Sequence, residues 1–428
     1  MTSSAIFIFH RDLRKEDNIG LIQTAKTHDI IYPIFIFTPE QVTDNPYKSD
    51  NSVEFMCNSL SELDDFITLF YGDTISILKR LVKKIKPTTI AFNRDYTPYA
   101  LKRDNKIRIT FEPNINVISY DDICLNPPEA TLKSDKTPYK KFTPFYNHCK
   151  TLEVLPPIKY NITNSKKIKT VSINLEKFYK SNKNILVRGG RKEGLRLLKP
   201  IPNYNETRDI PSIPTTHLSA HLKFGTISPR EAYAVFNTDL RRQLYWRDFY
   251  MMIIFYYPNL YGSYTQTKYN DLSWKNDHVK EWKMGKTGFP IVDAAMTQLN
   301  TTGYMHNRCR MIVATFLIYN LHVNWKKGEK YFSKRLVDCD ISNNLGNWKW
   351  VAGIESYSND YFKAMSIVNQ AKRFDPDAVY IRQWLPQLKN ISTKALLDPE
   401  KYKIPNYPEP IVNSSETRKQ WIAKMKSA

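Results

Sequence analysis

The five cysteines, Cys57, Cys124, Cys149, Cys309 and Cys339, stand far apart and form no CxxC pair. That scatter excludes a zinc ribbon or an iron–sulfur cluster and argues against a disulfide framework, so a reducing compartment is expected. Long apolar runs are missing too. FYMMIIFYY is among the longest, well short of the roughly 18 residues a membrane span needs. The start, MTSSAIFIFHRDLR, lacks the basic leader and the long apolar stretch of a secretory signal. The expectation is a soluble intracellular protein, in cytoplasm or nucleus. Neither GxGxxG nor GxxxxGKS/T follows any strand-like run, so dinucleotide-fingerprint and P-loop chemistry have no support. No internal repeat stands out, and no residue constellation suggests a metal. Acid is also scarce: 63 Lys and Arg face 42 Asp and Glu, a formal net charge of +21. Such an excess concentrates polyanions near the protein and speeds encounter with them. Nucleic acid is the first candidate partner, an anionic membrane the second, and a solubility bias without a partner the third. The basic residues are spread along the chain rather than gathered in an arm, which predicts a folded basic surface.

What is present divides the chain in two. Up to about residue 125, short β-rich runs (AIFIF, IIYPIFIF, TISIL, TTIAF, INVISY) alternate with segments of helical spacing such as VEFMCNSLSELDDFITLF. Buried parallel strands with crossover helices read this way. An open α/β sheet domain is expected over 1–128. The stretch 129–195 is rich in Pro, Lys, Asn and Ser and reads as an extended connector. From 196 to 428 strand signals become rare, and Trp, Tyr, Arg and Asn occupy core-like helical positions. A largely helical domain is expected there.

Three stretches of the second domain carry chemistry. In GYMHNRCRM (303–311), Asn307, Arg310 and Met311 lie at i, i+3 and i+4, so one helix face presents an amide, a guanidinium and a thioether. Buried amides and charges are costly unless partnered, so this face meets a polar ligand or acids from elsewhere. DCDISNNLGNWKW (338–350) supplies such acids, Asp338 and Asp340, with Asn343, Asn344, Asn347, Trp348 and Trp350 beside them. QLYWRDFY (243–250) adds Gln243, Trp246 and Arg247. Carboxylates, amides and flat rings together suit an aromatic cofactor or a nucleobase. A single aromatic stripe is usually core; three in one domain point to a site.

These residues resemble the photolyase/cryptochrome family of flavoproteins nearly from end to end. FIFHRDLRKEDNIGL, NRDYTPYALKRD, TPYKKFTPFY, TTHLSAHLKFGTISPRE, GKTGFPIVDAAMTQL and FDPDAVYIRQWLPQL carry the likeness alongside the three stretches. The resemblance implies a Rossmann-like α/β domain followed by an all-α domain that holds FAD folded back on itself. It implies that Tyr204, Thr215, Thr216, His217, Leu218 and Ser219 hold the FAD phosphates, and that Arg247, Asn307, Arg310, Asp338 and Asp340 contact the flavin. Asn344 matches the residue facing the central flavin ring, where plant-type cryptochromes carry Asp, animal ones Cys and photolyases Asn. Trp348, Trp325 and Trp274 match an electron-transfer chain, with Trp274 aligned only after a short deletion before Trp282.

The resemblance also implies a substrate. Trp246 and Trp350 match rings that clasp an everted cyclobutane pyrimidine dimer, and Met311 the thioether against it. Arg208, Arg308 and Gln370 match DNA contacts. Enzymes for the (6-4) photoproduct carry histidine at the positions of Asn307 and Met311, which this chain does not. Gln243 departs from the Glu usual in dimer enzymes, and with GNWKWVAG and QAKRFDPD it suggests a divergent subclass with DASH-like features. The expected activity is light-dependent dimer repair by reduced FAD, a carbon–carbon lyase reaction on UV-damaged DNA by a monomer. A folate or deazaflavin antenna in the α/β domain is an open choice. A cryptochrome photoreceptor is the alternative, disfavoured by the family core ending at PEPIVNSSETRKQWIAKMKSA. A (6-4) photolyase is another, and a cofactor-free helical nucleic-acid-binding module leaves the acidic and Thr/Ser segments unexplained. The Lys-, Asn- and Ile-heavy wording suggests an AT-rich genome, viral or otherwise.

Overall fold

The computed structural model describes residues 2–261, 273–354 and 364–427. Five strands, β1 (Ser4–Phe9), β2 (Ile30–Phe37), β3 (Thr68–Tyr71), β4 (Thr89–Asn93) and β5 (Asn116–Tyr120), form one sheet in the order β3-β2-β1-β4-β5. Every pairing is parallel; Ala5 faces Ile31 on one side and Thr89 on the other. Crossover helices α1 (Ile19–Thr27), α2 (Asp50–Ser61), α3 (Thr74–Ile85) and α4 (Pro98–Phe111) connect the strands. A sheet covered on both faces needs strands apolar throughout. Accordingly Phe7, Phe9 and Phe35 pack with Phe55 and Leu60, while Ile6, Ile8 and Ile34 pack with Leu78, Leu81 and Ile107.

One strand is not where the sequence pattern puts it. TISIL opens helix α3, and the strand is TLFY, the tail of the segment read as helical. Asp73 accepts a hydrogen bond from the Ser76 N–H at 2.8 Å and so starts a helix at Thr74. Ile75, Leu78 and Leu81 then recur at helical spacing on its buried side.

The second half is helical. Its cavity-forming elements are α5 (Ser219–Phe224), α6 (Thr238–Tyr256), α7 (Asn307–Thr315), α8 (Trp325–Arg335) and α9 (Ile341–Ala352). A core of Trp282, Val292, Leu299, Ile312, Phe316 and Leu317 lies behind them. Within 129–195 a helix at Phe142–Cys149 packs Phe142, Phe145 and Cys149 against Leu244 and Phe249 of α6. No helix among the described residues is long and apolar enough to cross a membrane.

The strand order reverses between β1 and β4, the place where open α/β sheets offer a crevice at their carboxyl ends. Here the loops at that point reach the helical half. Arg11, just past β1, donates to the Lys223 carbonyl at 3.0 Å and pairs with Asp95 and Asp340. Gly225 ends α5 at φ +66, and a Cβ there would lie 2.2 Å from the Arg11 carbonyl oxygen. A buried ionic cluster completes the joint: Asp122 accepts from both Arg14 and Arg230 at 2.7 Å, and Arg230 also reaches Asp17 at 3.1 Å.

Candidate functional site

The stretch 303–311 breaks one helix and starts another. Gly303, at φ +69, terminates the helix Pro290–Thr302, and His306 caps α7 by accepting from the Arg308 N–H at 3.1 Å. Burial lowers the His306 pKa to about 4, so the ring is neutral and free to accept. Asn307, Arg308, Arg310 and Met311 then all face one cavity. Arg310 is held by the Met305 carbonyl at 2.8 Å and pairs with Asp338 at 2.8 Å. The Ser219 hydroxyl donates to the same Asp338 oxygen at 2.6 Å. Burial works to raise the Asp338 carboxyl, but Arg310 and Ser219 hold it below the ordinary carboxylate value. Its other oxygen, Oδ1, is buried and has no partner in the protein. A buried carboxylate oxygen left bare is costly unless something else donates to it.

The segment 338–350 adds the opposite wall. Asp340 starts α9 by accepting from the Asn343 N–H at 3.0 Å and is anchored from outside by Arg11. One turn on, Asn344 points its Nδ2 at Glu329 Oε1 (2.9 Å) and Ser333 Oγ (3.0 Å) of α8. The Glu329 main-chain carbonyl, at 3.3 Å, also accepts from Nδ2 and fixes the amide, because the reverse rotamer would set Oδ1 against that acceptor. Asn344 Oδ1 has no protein donor among the described residues and is left as an acceptor. Trp348 packs its ring edge-on to Phe332 at 5.0 Å and to Trp282 at 6.5 Å. Gly328 on α8 permits this, since a Cβ there would lie 2.2 Å from the Trp348 ring.

Helix α6 contributes Gln243, Trp246, Arg247 and Tyr250. Trp246 is stacked flat on Phe142, with ring centroids 3.5 Å apart. Arg247 is fixed by the Ile123 carbonyl at 2.5 Å, Asp248 at 3.1 Å and the Leu222 carbonyl at 3.2 Å. Gln243 makes only a 3.3 Å bond to the Asp239 carbonyl and keeps most of its amide for another partner. Arg308 is pinned by Asp209 at 2.7 Å, its guanidinium 4.1 Å from the centre of the Phe374 ring.

These elements enclose a cavity of about 510 Å³, within the range of small-molecule and cofactor sites. Of the residues singled out from sequence, Tyr204, Arg208, Thr215, Thr216, Ser219, Gln243, Trp246, Arg247, Asn307, Arg308, Arg310, Met311, Asp338, Asp340, Asn344, Trp348 and Trp350 line it. Five do not. Leu218 is buried behind the wall, and His217 lies on Tyr304 at 4.8 Å with a left-handed φ of +53. Trp325 is buried at the start of α8. Trp274 sits against Trp421 at 5.0 Å. Gln370 lies on the helix Ile367–Phe374. The sequence reading missed Lys223, Tyr250 and Cys339 in the wall, and Arg11 and Glu329 behind it. Five basic side chains (Arg208, Lys223, Arg247, Arg308, Arg310) and two carboxylates line the cavity, which suits an anionic occupant. Flat rings, amides and the bare Asp338 oxygen suit one that also has a polar heterocycle, and FAD has both parts. Among the described residues no His, Cys, Asp and Glu group is placed to hold a metal.

Comparison with known proteins agrees with this geometry. Residues 5–161 match the model of the DNA photolyase domain, and residues 240–427 that of the FAD binding domain of DNA photolyase. The chain is 30% identical to the deoxyribodipyrimidine photo-lyase of Escherichia coli (strain K12), over 100% of this chain and 99% of that enzyme. The crystal structure of an archaeal photolyase from Sulfolobus tokodaii with two FAD molecules superposes with a TM-score of 0.91 at 38% identity, covering 99% of this chain and 100% of that one. A bacterial class III photolyase from Agrobacterium tumefaciens gives 0.90 at 27% identity, with 100% and 98% covered. A Synechocystis cryptochrome, at 24% identity and a TM-score of 0.88 over 99% of each chain, shares the fold.

Proposed function

We infer, from membership of the DNA photolyase family to which this chain belongs, that it binds FAD and carries out light-dependent repair of cyclobutane pyrimidine dimers in UV-damaged DNA. One observation of the site carries this reading. A single cavity is lined both by the Arg310–Asp338 pair with its unspent oxygen and by Trp246, Met311 and Trp350. The first group suits a flavin, the second an everted pyrimidine dimer.

In this assignment Tyr204, Thr215, Thr216 and Ser219, which line the cavity, hold the phosphates with their side chains, while His217 and Leu218, whose side chains lie outside it, belong to the same segment and contribute backbone only. Arg247, Asn307, Arg310, Asp338 and Asp340 hold the flavin. Asn344 offers it an acceptor oxygen, since Glu329 and Ser333 occupy the amide's donors. When bound in reduced form, FAD supplies the photoexcited electron that splits the dimer. The protein does the rest by position. Arg208, Arg308 and Gln370 engage the backbone around the lesion, and extrusion of the damaged pair costs least where stacking is already broken. Trp246, braced by Phe142, and Trp350 flank the everted pair, with Met311 against it. Gln243 can donate to and accept from its edges but carries no ionisable proton. Trp348, Trp325 and Trp274 are assigned as one-electron donors between cavity and surface. Subclass features around Gln243 make single-stranded DNA a reasonable preference to assay. For the α/β half the choice lies between a folate antenna, a deazaflavin antenna and an empty cleft, and the Sulfolobus tokodaii relative, solved with two FAD molecules, adds a flavin to that choice. The protein acts as a monomer in the cytoplasm or nucleus, with the domains divided as 1–128, 129–195 and 196–428.

The test is illumination of the reduced protein with DNA carrying one defined lesion, in parallel for each lesion type. Loss of the cyclobutane dimer with no change in the (6-4) product is expected. The opposite pattern would overturn the lesion assignment.

A further inference from the structure

Behind Asn344, on the side away from the cavity, a carboxyl is buried without a cation. Glu329 is 7% exposed. Its Oε1 accepts from the neutral donors Ser333 Oγ at 3.0 Å and Asn344 Nδ2 at 2.9 Å, and no ammonium or guanidinium among the described residues hydrogen-bonds to the carboxyl. A buried carboxylate with no cation in contact is costly, so such a group holds a proton readily. Burial indeed raises its pKa above the ordinary value.

The network continues past it. The Cys339 thiol donates to Ser333 Oγ with Sγ–Oγ at 3.4 Å, and Cys339 lines the cavity. Three proton-bearing groups therefore stand in line from cavity to carboxyl. At the outer end, Lys330 and the partly exposed Tyr47 lie within electrostatic reach of Glu329. At the inner end, Lys223 and Asp338 face the thiol. Asn344 runs beside the line, with its Nδ2 hydrogens directed at Glu329 and Ser333.

We propose that Cys339, Ser333 and Glu329 form a proton relay between the FAD cavity and the exterior near Tyr47. The proposal rests on the cavity being the FAD site, because full reduction of a flavin takes up a proton along with its two electrons. In the orientation observed, the relay carries a proton outward. A proton from the cavity binds Cys339 Sγ as the thiol's own proton passes to Ser333 Oγ, and the serine hydroxyl proton passes to Glu329 Oε1. Three bonds to hydrogen form, three break, and no electrons are exchanged. Rotation of thiol and hydroxyl lets a protonated Glu329 return the proton inward, after which the exterior recharges the carboxyl. Cys339 and Ser333 are relay residues; the reacting atoms belong to the cavity.

The experiment uses the purified FAD-bound protein in its oxidised form, illuminated with an exogenous thiol as reductant. Flavin absorbance follows the proton-coupled change, and light-minus-dark infrared spectra follow the thiol and carboxyl. Wild-type protein is expected to show an S–H band lost in Cys339→Ala and a carboxyl band lost in Glu329→Gln. Cys339→Ala, which leaves the Asn344 bonds intact, is expected to slow the absorbance change by about tenfold or more. Cys339→Ser, which keeps a relaying O–H, is expected to restore most of the rate and the carboxyl band. Equal rates and an unchanged carboxyl band in a yellow Cys339→Ala protein would overturn the relay alone. A protein that takes up no flavin would overturn the cofactor reading and the relay with it.

Discussion

Two buried ionic groups in this molecule look alike in composition and differ in how fully their carboxylate oxygens are bonded. At the joint of the two halves, both oxygens of Asp122 accept from guanidinium groups, and both oxygens of Asp17 are bonded. In the cavity, Arg310 and Ser219 share one oxygen of Asp338 while the other has no partner. A closed cluster holds parts of a fold together. An open one holds part of a site and leaves the remaining bond to a ligand. The joint also leaves one atom bare, Arg14 Nε, but on a cation enclosed by the fold; what marks the cavity is a bare carboxylate oxygen on a residue that lines it.

The largest effect is expected from breaking the closed cluster. Asp122→Ala takes from Arg14 its carboxylate partner and leaves Arg230 only Asp17, both guanidiniums being nearly inaccessible, and should cost about 3 to 5 kcal/mol in denaturant unfolding. The molecules that remain folded should keep the wild-type ratio of FAD to protein. The pH dependence has a defined sign. Burial acts to raise the Asp122 carboxyl, yet Arg14 and Arg230 hold it below the usual carboxylate value. Its stabilisation is thus full above the unfolded value of about 3.9 and is lost as pH falls through the folded one. Acid titration of unfolding should show a shallower limb in the variant than in wild type.

A small structural effect and a functional one are expected from Gln243→Glu. The side chain is half-buried and weakly bonded, so unfolding should shift by less than about 0.5 kcal/mol. If an ionisable proton at this place limits repair, the quantum yield on the cyclobutane dimer rises. An unchanged or lower yield would show that this pocket uses another donor.

Much of this was legible in the sequence, for identifiable reasons. Strands buried on both faces leave unbroken apolar runs, which mark β1, β2 and β4; β5, at the sheet edge with only Val117 buried, is marked by its β-branched residues instead. The run TISIL is equally apolar, and only the Asp73 cap and the spacing of Ile75, Leu78 and Leu81 mark it as helix. Asn307, Arg310 and Met311 share a face because helical geometry requires it, and the acids that Arg310 demanded lie 28 residues on, in a segment already conspicuous for its amides. The residues that were missed come from tertiary contact. Arg11 meets Asp340 across 329 positions, and nothing local to either signals the other. Glu329, in the exposed-looking run KKGEKYF, is buried only because α9 packs on it.

The most direct measurement is FAD binding by wild-type protein and by Asp338→Ala, read from visible absorbance and from titration of the stripped protein. Removing one partner of a buried, hydrogen-bonded charge pair should weaken binding by about 30-fold or more. A yellow wild-type protein, beside a variant that loses one FAD per chain on dilution, is the predicted result. A wild-type protein that stays colourless after reconstitution, or a variant that holds FAD as tightly as wild type, would contradict it.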